Sequence, residues 1–348
     1  MSGRGAAGGV RAPRGERMSA SDQFARQTDP FRRELLAHCY RMLGSVHDAE
    51  DLVQETFLRA WRSYGQFDDR RASLRTWLYR IATNACLTAL EQRGRRALPS
   101  ELVDPSAEPL APIGEPRREV AWLQPIPDAL LTAAPADPAT IVASRGSVRL
   151  ALIAALQHLP ARQRAVLILR DVLAWRATEV ADLLDTSTAA VNSALQRARA
   201  QLAEATPAED QIAEPSDADQ RELLDRYVTA FVNADTTALA RLLRDDVELE
   251  MPPFLLWLSG RHDVAAFITN KATLTPDRWR MIPTSANGQP AVGAYLRRDD
   301  GAHRAHSVQV FTFADPGVAR IVAFVDPDLF ATFGLPLTYS PAAAAPRR

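Results

Sequence analysis

The sequence predicts a multidomain protein in which two all-α modules precede an α+β domain, and three observations carry that prediction. Helical apolar periodicity holds from Phe31 to Leu90 and again from Arg145 to about Ala205, with a Pro-rich, aperiodic stretch between. After Arg221, helical segments give way to runs of alternating polarity, the order expected of a separate α+β domain. Charge divides at the same places. The 348 residues sum to -1, yet residues 1–97 carry 17 basic and 11 acidic side chains, 98–140 carry 2 and 7, 141–205 carry 8 and 5, and 206–348 carry 14 and 19. Two basic blocks alternating with two acidic ones point to a polyanionic partner that the total conceals.

Length agrees with several domains, since single cores rarely grow past about 250 residues. No apolar run reaches the roughly 18 residues of a membrane span, and the N-terminus lacks the apolar core of a signal peptide, so a cytoplasmic protein is expected. Cys39 and Cys86 fit no metal spacing and are expected to stay reduced and buried; neither metal nor cofactor is implied.

Residues 1–25, rich in Gly, Arg, Ala and Ser, read as a disordered tail in which Met18 is a second possible start. In the first helix Phe31, Leu35, Cys39, Met42 and Leu43 form one stripe, which Gly44 is placed to end. The second carries Leu52, Val53, Thr56, Phe57, Ala60 and Trp61 inward, with Asp48, Asp51 and Glu55 opposite. A polar loop, Gly65 to Arg71, precedes a third, whose buried face is Leu74, Trp77, Leu78, Ile81, Ala82, Ala85 and Ala89. Its other face, Thr76, Tyr79, Arg80, Thr83, Asn84 and Thr88, holds no acid, and hydroxyls, an amide, a ring and Arg suit splayed bases and phosphates. Trp61 and Trp77 read as core, and the acids of the second helix, which would repel DNA, as a protein-facing surface.

Residues 98–140, with seven acids and many prolines, read as a semi-extended linker. Beyond it Pro160 opens a helix bearing Val166, Leu169 and Val172. A shorter helix from Ala177 to Leu184, the turn Asp185-Thr186-Ser187 and a longer helix with Val191, Leu195, Ala198 and Leu202 inward make helix-turn-helix geometry. Asp185 stands where many such turns have Gly, and Asp tolerates that left-handed conformation. The outer face of the last helix, with Asn192, Ser193, Gln196, Arg197 and Arg199, has no acid before Glu204; Asn and Gln pair with adenine, Arg with guanine or phosphate. The competing reading of that pattern is a plain solvated helical hairpin.

The stretches DAEDLVQETFLRAW (Asp48 to Trp61), FDDRRASLRTWLYRIATNACLTAL (Phe67 to Leu90) and LPARQRAVLILRDVLAWRATEVADLLDTSTAAVNSALQRARAQL (Leu159 to Leu202) resemble an extracytoplasmic-function (ECF) sigma factor of the sigma-70 family. The resemblance implies sigma region 2 over 26–97 and sigma region 4 over 144–206, joined by a linker over 98–143. It implies core RNA polymerase, at the β′ clamp helices and β flap, and promoter DNA as partners. Asp48, Asp51, Gln54 and Glu55 would dock on the polymerase. Phe67, Arg70, Arg71, Ser73, Arg80 and Asn84 would meet the −10 element. Thr188, Asn192, Ser193, Gln196, Arg197 and Arg199 would enter the major groove at −35. The acidic linker would run where RNA leaves the polymerase. A separate anti-sigma factor is left open.

After a second linker over 207–218, residues 219–338 resemble the SnoaL-like cone-shaped α+β barrel fused behind the sigma modules in the SigG-like group, ahead of a disordered tail over 339–348. The strand runs are Val247 to Met251, Arg278 to Ser285, Ala291 to Arg298, Ala305 to Phe313 and Val318 to Asp326. Trp257, Trp279, Tyr295 and His306 are candidate liners of a pocket for a small-molecule ligand, against the plainer role of aromatic core. His262, Asp263, His303, His306, Asp326 and Asp328 could supply an acid-base pair, yet no spacing singles one out and no enzyme activity is expected. The acidity of this domain beside two basic modules raises the expectation that it covers their DNA faces and regulates them. Two readings compete with a sigma factor: an autonomous helix-turn-helix regulator with a ligand domain, which leaves the first module unexplained, and a cone-fold isomerase or hydrolase, which leaves both basic blocks unexplained.

Overall fold

The computed structural model describes residues 19–92, 94–131, 146–205, 216–270 and 274–339. Met18 and the tail before it, the last part of the linker from residue 132, the acidic stretch after Ala205 and the final tail lie outside these residues.

The first helix, α1 (Ala20–Thr28), begins inside the segment read as tail, because Ser19 and Asp22 form a capping box: Ser19 Oγ accepts from the Asp22 amide at 3.1 Å and the Asp22 carboxylate accepts from the Ser19 amide at 3.3 Å. α1 buries Phe24, whose ring meets Trp61 edge-on at 5.3 Å and Tyr64 at 5.0 Å. Trp61 is 40% exposed, so its expected place in the core is corrected to a surface ring lying against Phe24. Helices α2 (Arg32–Leu43), α3 (Val46–Ser63) and α4 (Leu74–Gln92) complete the first module. Gly44 ends α2 in the left-handed region at φ +67, and a Cβ there would lie 2.8 Å from Leu123 Cδ1, so its lack of a side chain both stops the helix and admits the linker.

The linker is not a free tether where it is described. Leu98, Leu123 and Ile126 are at most 1% exposed, and the Gln124 amide donates to the Gly44 carbonyl at 3.0 Å. An extended, proline-fixed chain can bury isolated apolar residues in separate notches, so no helical or strand period was needed to signal it. Its described part closes on a single helical turn, α5 (Asp128–Leu131).

The second module contains α6 (Leu150–Gln157), α7 (Ala161–Leu167) continuing through a π turn at Ile168–Val172, α8 (Ala177–Leu183) and α9 (Thr188–Ala205). Asp185 takes φ +53 between α8 and α9, the left-handed turn expected of it. Ser187 starts α9, its Oγ accepting from the Ala190 amide at 3.1 Å.

The third domain places α10 (Asp217–Val232) and α11 (Thr236–Leu242) before β1 (Leu243–Glu250), β2 (Trp257–Ser259), α12 (Arg261–Asn270), β3 (Trp279–Ala286), β4 (Gln289–Arg297), β5 (His303–Ala314), β6 (Gly317–Phe324) and α13 (Leu329–Thr332). The six strands form one sheet in the order β2-β1-β6-β5-β4-β3, with β1 and β6 parallel and the other pairs antiparallel. Strand alternation divides side chains between two cores. Met281, Val292, Ala294, Phe311 and Ile321 face α10, α11 and α12, while Ile282, Ala291, Tyr295, Val310 and Val322 belong to a core continuous with that of the helical modules.

The helical modules are fastened to each other by buried arginines. From α2, Arg41 donates through Nε to the Ser147 carbonyl at 3.1 Å and through Nη2 to Ser147 Oγ at 2.7 Å. From α7, Arg164 reaches the Met42 carbonyl as well as Gln157 Oε1 at 2.8 Å and the Gln157 and Leu159 carbonyls at 3.0 and 3.2 Å. Trp175 packs on Tyr79 of α4 with ring centroids 5.3 Å apart, and the Arg75 guanidinium lies over both rings.

Candidate functional site

Three surfaces carry the predicted contacts. On α3, Asp51 and Gln54 are exposed and Glu55 pairs with Arg59 one turn on at 2.7 Å. Asp48 departs from this group. It is half-buried in an ion pair with Arg96, whose other amine donates to the Trp122 carbonyl at 2.6 Å, so it anchors the linker rather than facing outward. An acidic side chain in a first helical turn is also what the macrodipole favours, and sequence does not separate that use from docking.

On α4, Arg80, Asn84 and Thr88 recur every fourth residue and are exposed, with Arg70, Arg71 and Ser73 exposed in the preceding loop. Ser73 is committed to the helix start: its hydroxyl accepts from the Thr76 amide at 3.1 Å and meets Thr76 Oγ1 at 2.9 Å. Phe67 is half-buried, stacked on Tyr64 at 6.2 Å and tilted against Trp77 at 4.9 Å. Tyr79 and Thr83, read from periodicity as part of the exposed face, are fully buried. Tyr79 is covered by Trp175 arriving from the second module, of which the periodicity of α4 carries no trace, and Thr83 lies against α2, its Oγ1 2.9 Å from His38 Nε2.

On α9, Thr188, Asn192, Gln196 and Arg199 share one flank at successive turns, and Ser193 and Arg197 share the other. All six are exposed. Thr188, Asn192 and Gln196 make no side-chain hydrogen bond among the described residues, Arg197 donates to Ser193 Oγ at 2.7 Å, and Arg199 forms a two-pronged pair with Asp171 at 2.7 and 2.8 Å. The expected shielding of the DNA faces by the third domain is corrected here: the α9 flank is open, and that domain instead meets α2, the linker and the start of the second module.

Those contacts centre on the β3–β4 turn. Asn287, fully buried at φ +59, donates through Nδ2 to Tyr40 Oη and to the Val148 carbonyl, both at 2.7 Å, and accepts at Oδ1 from the Ile126 amide at 3.1 Å. Gln289 Oε1 accepts from the Leu150 amide at 3.0 Å, and the Gly288 amide donates to Asp128 at 2.7 Å. Sequence reasoning missed this clasp. An Asn-Gly pair signals a tight hairpin turn but not what the Asn side chain grips.

The third domain holds a cavity of about 140 Å³. Trp279 and His306 line it; Trp257 and Tyr295 do not, which corrects half of the predicted set. Trp257 Nε1 donates to the Val103 carbonyl at 2.8 Å, and Tyr295 points to the opposite core, edge-on to Phe330 at 5.1 Å. The candidate acid-base residues are not assembled. Among the described residues no carboxylate lines the cavity, His303 Nε2 lies 2.9 Å from the Asp277 carbonyl, and Asp326 is occupied with the Asp328 amide at 3.0 Å. Among the described residues no group of three His, Cys, Asp or Glu side chains could hold a metal, and no helix is long and apolar enough to cross a membrane.

Two histidines give a pH dependence of known sign. Burial, with Arg41 and Arg75 adding, lowers the pKa of His38 from 6.5 to about 3, and burial with Arg298 lowers that of His306 to about 4. The unfolded chain therefore binds more protons below pH 6.5, and stability falls from there down towards pH 4, by up to about 1.4 kcal/mol per pH unit for each histidine. Thermal melts across that range should show the loss, and His38→Asn should reduce its slope; equal slopes would remove His38 from the account.

Comparison with known proteins follows the same division. The chain matches the Sigma-70 region 2 family over residues 29–96 and the Sigma-70, region 4 family over 149–202. It is 52% identical over 315 residues to ECF RNA polymerase sigma factor SigG of Mycobacterium tuberculosis, covering 90% of this chain and 84% of that protein. It is 30% identical over 220 residues to SigJ of the same organism, covering 63% of this chain and 62% of SigJ. The crystal structure of SigJ superposes over 90% of this chain and 99% of its own, with a TM-score of 0.60 at 23% identity, so the whole three-part architecture is shared.

Proposed function

We propose a division of labour for this chain, which belongs to the ECF RNA polymerase sigma factors and directs promoter-specific initiation of transcription. The α3 surface at Asp51, Gln54 and Glu55 docks on the β′ clamp helices, and the second module meets the β flap. Arg70, Arg71, Arg80 and Asn84, with Phe67 among its stacked rings, meet the −10 strand. The α9 face reads the −35 element. The chain acts in the cytoplasm, where core polymerase and DNA are. It performs no catalysis of its own, and the SnoaL-like domain serves as a restraint in cis that holds the linker and both helical modules in the closed arrangement.

The observation that carries this reading is the state of the α9 flank. An amide pair at Asn192 and Gln196 stands exposed and uncommitted on a helix whose opposite side is fully packed, which is what base-edge recognition requires. Restraint in cis rests on the Asn287 clasp of the third domain on Tyr40, Ile126 and Val148, which accompanies the packing of Trp175 against Tyr79 between the two modules. Two modules joined there must separate to reach promoter elements tens of ångströms apart, and a linker of about forty extended residues can span that gap at roughly 3 Å per residue.

Run-off transcription with purified core polymerase tests the reading. The wild-type chain should yield a promoter-specific product, and Asp51→Arg, on an exposed position, should cut it at least tenfold, about 1.4 kcal/mol of core binding, with an unchanged melting temperature. A full product from Asp51→Arg would overturn the docking surface.

A further inference from the structure

Helix α1 enters the first module through a single ring. Among the described side chains of α1, Phe24 at 6% exposed is the one buried apolar group, and Thr28, also buried, turns its hydroxyl back onto the Phe24 carbonyl at 2.9 Å. A helix that adds so little to the core serves chiefly to place that ring. Phe24 meets Trp61 of α3 edge-on at 5.3 Å and Tyr64 at 5.0 Å, and the Tyr64 hydroxyl donates to Gln27, also of α1. Tyr64 stacks on Phe67 at 6.2 Å with the planes 10° apart, and Phe67 leans on Trp77 of α4 at 4.9 Å. All four separations fall in the range of interacting aromatic pairs, so five rings run without a break from α3 to α4.

The two ends of this ladder are the surfaces proposed above for polymerase and for the −10 strand. Asp51, Gln54, Glu55, Leu58 and Trp61 follow one another at three- and four-residue steps along the outer face of α3, and Leu58 is 51% and Trp61 40% exposed. A partner docked on the acids therefore also covers Trp61, the kind of side chain that anchors interfaces. At the other end, Phe67 and Ala72 are the only residues from 65 to 73 that are not exposed, so Phe67 fixes where the loop lies. The geometry points to Phe24 as a positioning residue that couples the two surfaces: polymerase fixes Trp61, Trp61 fixes the Phe24 ring, and Phe24 through Tyr64 sets Phe67 and the loop that receives the −10 strand. This coupling rests on those two surfaces and adds that binding at one prepares the other. Phe24 itself, being buried, touches neither partner. Edge-on pairs are directional, so leucine in its place fills much of the space without holding either neighbouring ring.

Hydrogen exchange of the full chain, with and without purified core polymerase and with no DNA, tests the coupling, which is read as a change at one end caused by binding at the other. In the wild type, polymerase should slow exchange at α3 and, by about tenfold, at the amides of residues 66–73. Phe24→Leu should keep the polymerase affinity and the protection of α3 but lose that of the loop. A purely structural role would lower affinity, α3 protection and loop protection together, and direct cover of the loop by polymerase would survive the substitution. Should Phe24→Leu not fold, Tyr64→Leu, half-buried and one ring further on, gives the same reading. Loop amides unchanged by polymerase while α3 is protected, or loop protection that survives both variants, would overturn the coupling and leave docking intact. An α3 left unprotected would remove the docking surface and the coupling with it.

Discussion

Asn287→Ala should loosen the third domain from the sigma modules, destabilising the closed arrangement by about 3–5 kcal/mol, among the larger effects a single substitution produces. The side chain is fully buried and bridges three separate parts of the chain: Tyr40 of region 2, Ile126 of the linker and Val148 ahead of region 4. Removing it leaves the Val148 carbonyl and the Ile126 amide without their side-chain partner, each costing roughly 1–3 kcal/mol. Alanine at φ +59 adds about 1 kcal/mol that glycine would not, so Asn287→Gly should be the milder variant by that amount. Hydrogen exchange reads the outcome locally, where the linker amides Leu123, Gln124 and Ile126 should lose protection before the helices of region 2 do. The same variant should raise run-off transcription if the clasp restrains the modules. Unaltered exchange in the linker would show that Asn287 does not hold it, and unaltered transcription would remove restraint in cis.

Much of the architecture was legible because local chemistry and global fold agree. Asp185 and Ser187 mark the turn of the helix-turn-helix whatever packs around it, and the strand runs read from Arg278 onward coincide with β3 to β6. What escaped were features created by parts that meet only in three dimensions. Arg41 and Arg164 lie on helices of different modules, and nothing local in the sequence says that each reaches a carbonyl of the other module. Tyr79 looked exposed because Trp175 is almost a hundred residues away, and Thr83 because nothing local shows that its hydroxyl meets His38 of α2. Asp48 and Ser73 were assigned to partners when their side chains serve the fold, since carboxylates and hydroxyls near a helix start suit capping as well as recognition. In the pocket, Trp257 and Tyr295 were as plausible as Trp279; the face each takes depends on strand register, and β2, only three residues long, left too short a pattern to set it.

Arg164→Met carries the other large expected effect, because it removes a buried cation on which two helix ends converge. The guanidinium binds the Met42 carbonyl in the last turn of α2, and the Gln157 and Leu159 carbonyls at and just beyond the end of α6, with no carboxylate among the described residues paired to it. Helix C-termini present unpaired carbonyls with partial negative charge, so the cation is held by two macrodipole ends instead of an acid. Burial lowers its pKa to about 10, still well above neutrality, so the group remains charged in the folded protein. Methionine fills similar volume but strands those carbonyls, and the loss should reach about 3–5 kcal/mol, comparable to breaking a buried ion pair. Arg164→Lys separates charge from geometry. A single ammonium keeps the charge but cannot span acceptors that the two guanidinium amines reach together, so lysine should recover only part of the loss. Thermal unfolding with hydrogen exchange at the α2 and α6 C-termini measures both variants. If lysine restored full stability, charge alone would explain the site; if methionine were neutral, the helix ends would need no cation and the joint between the sigma modules would rest on the Trp175 packing instead.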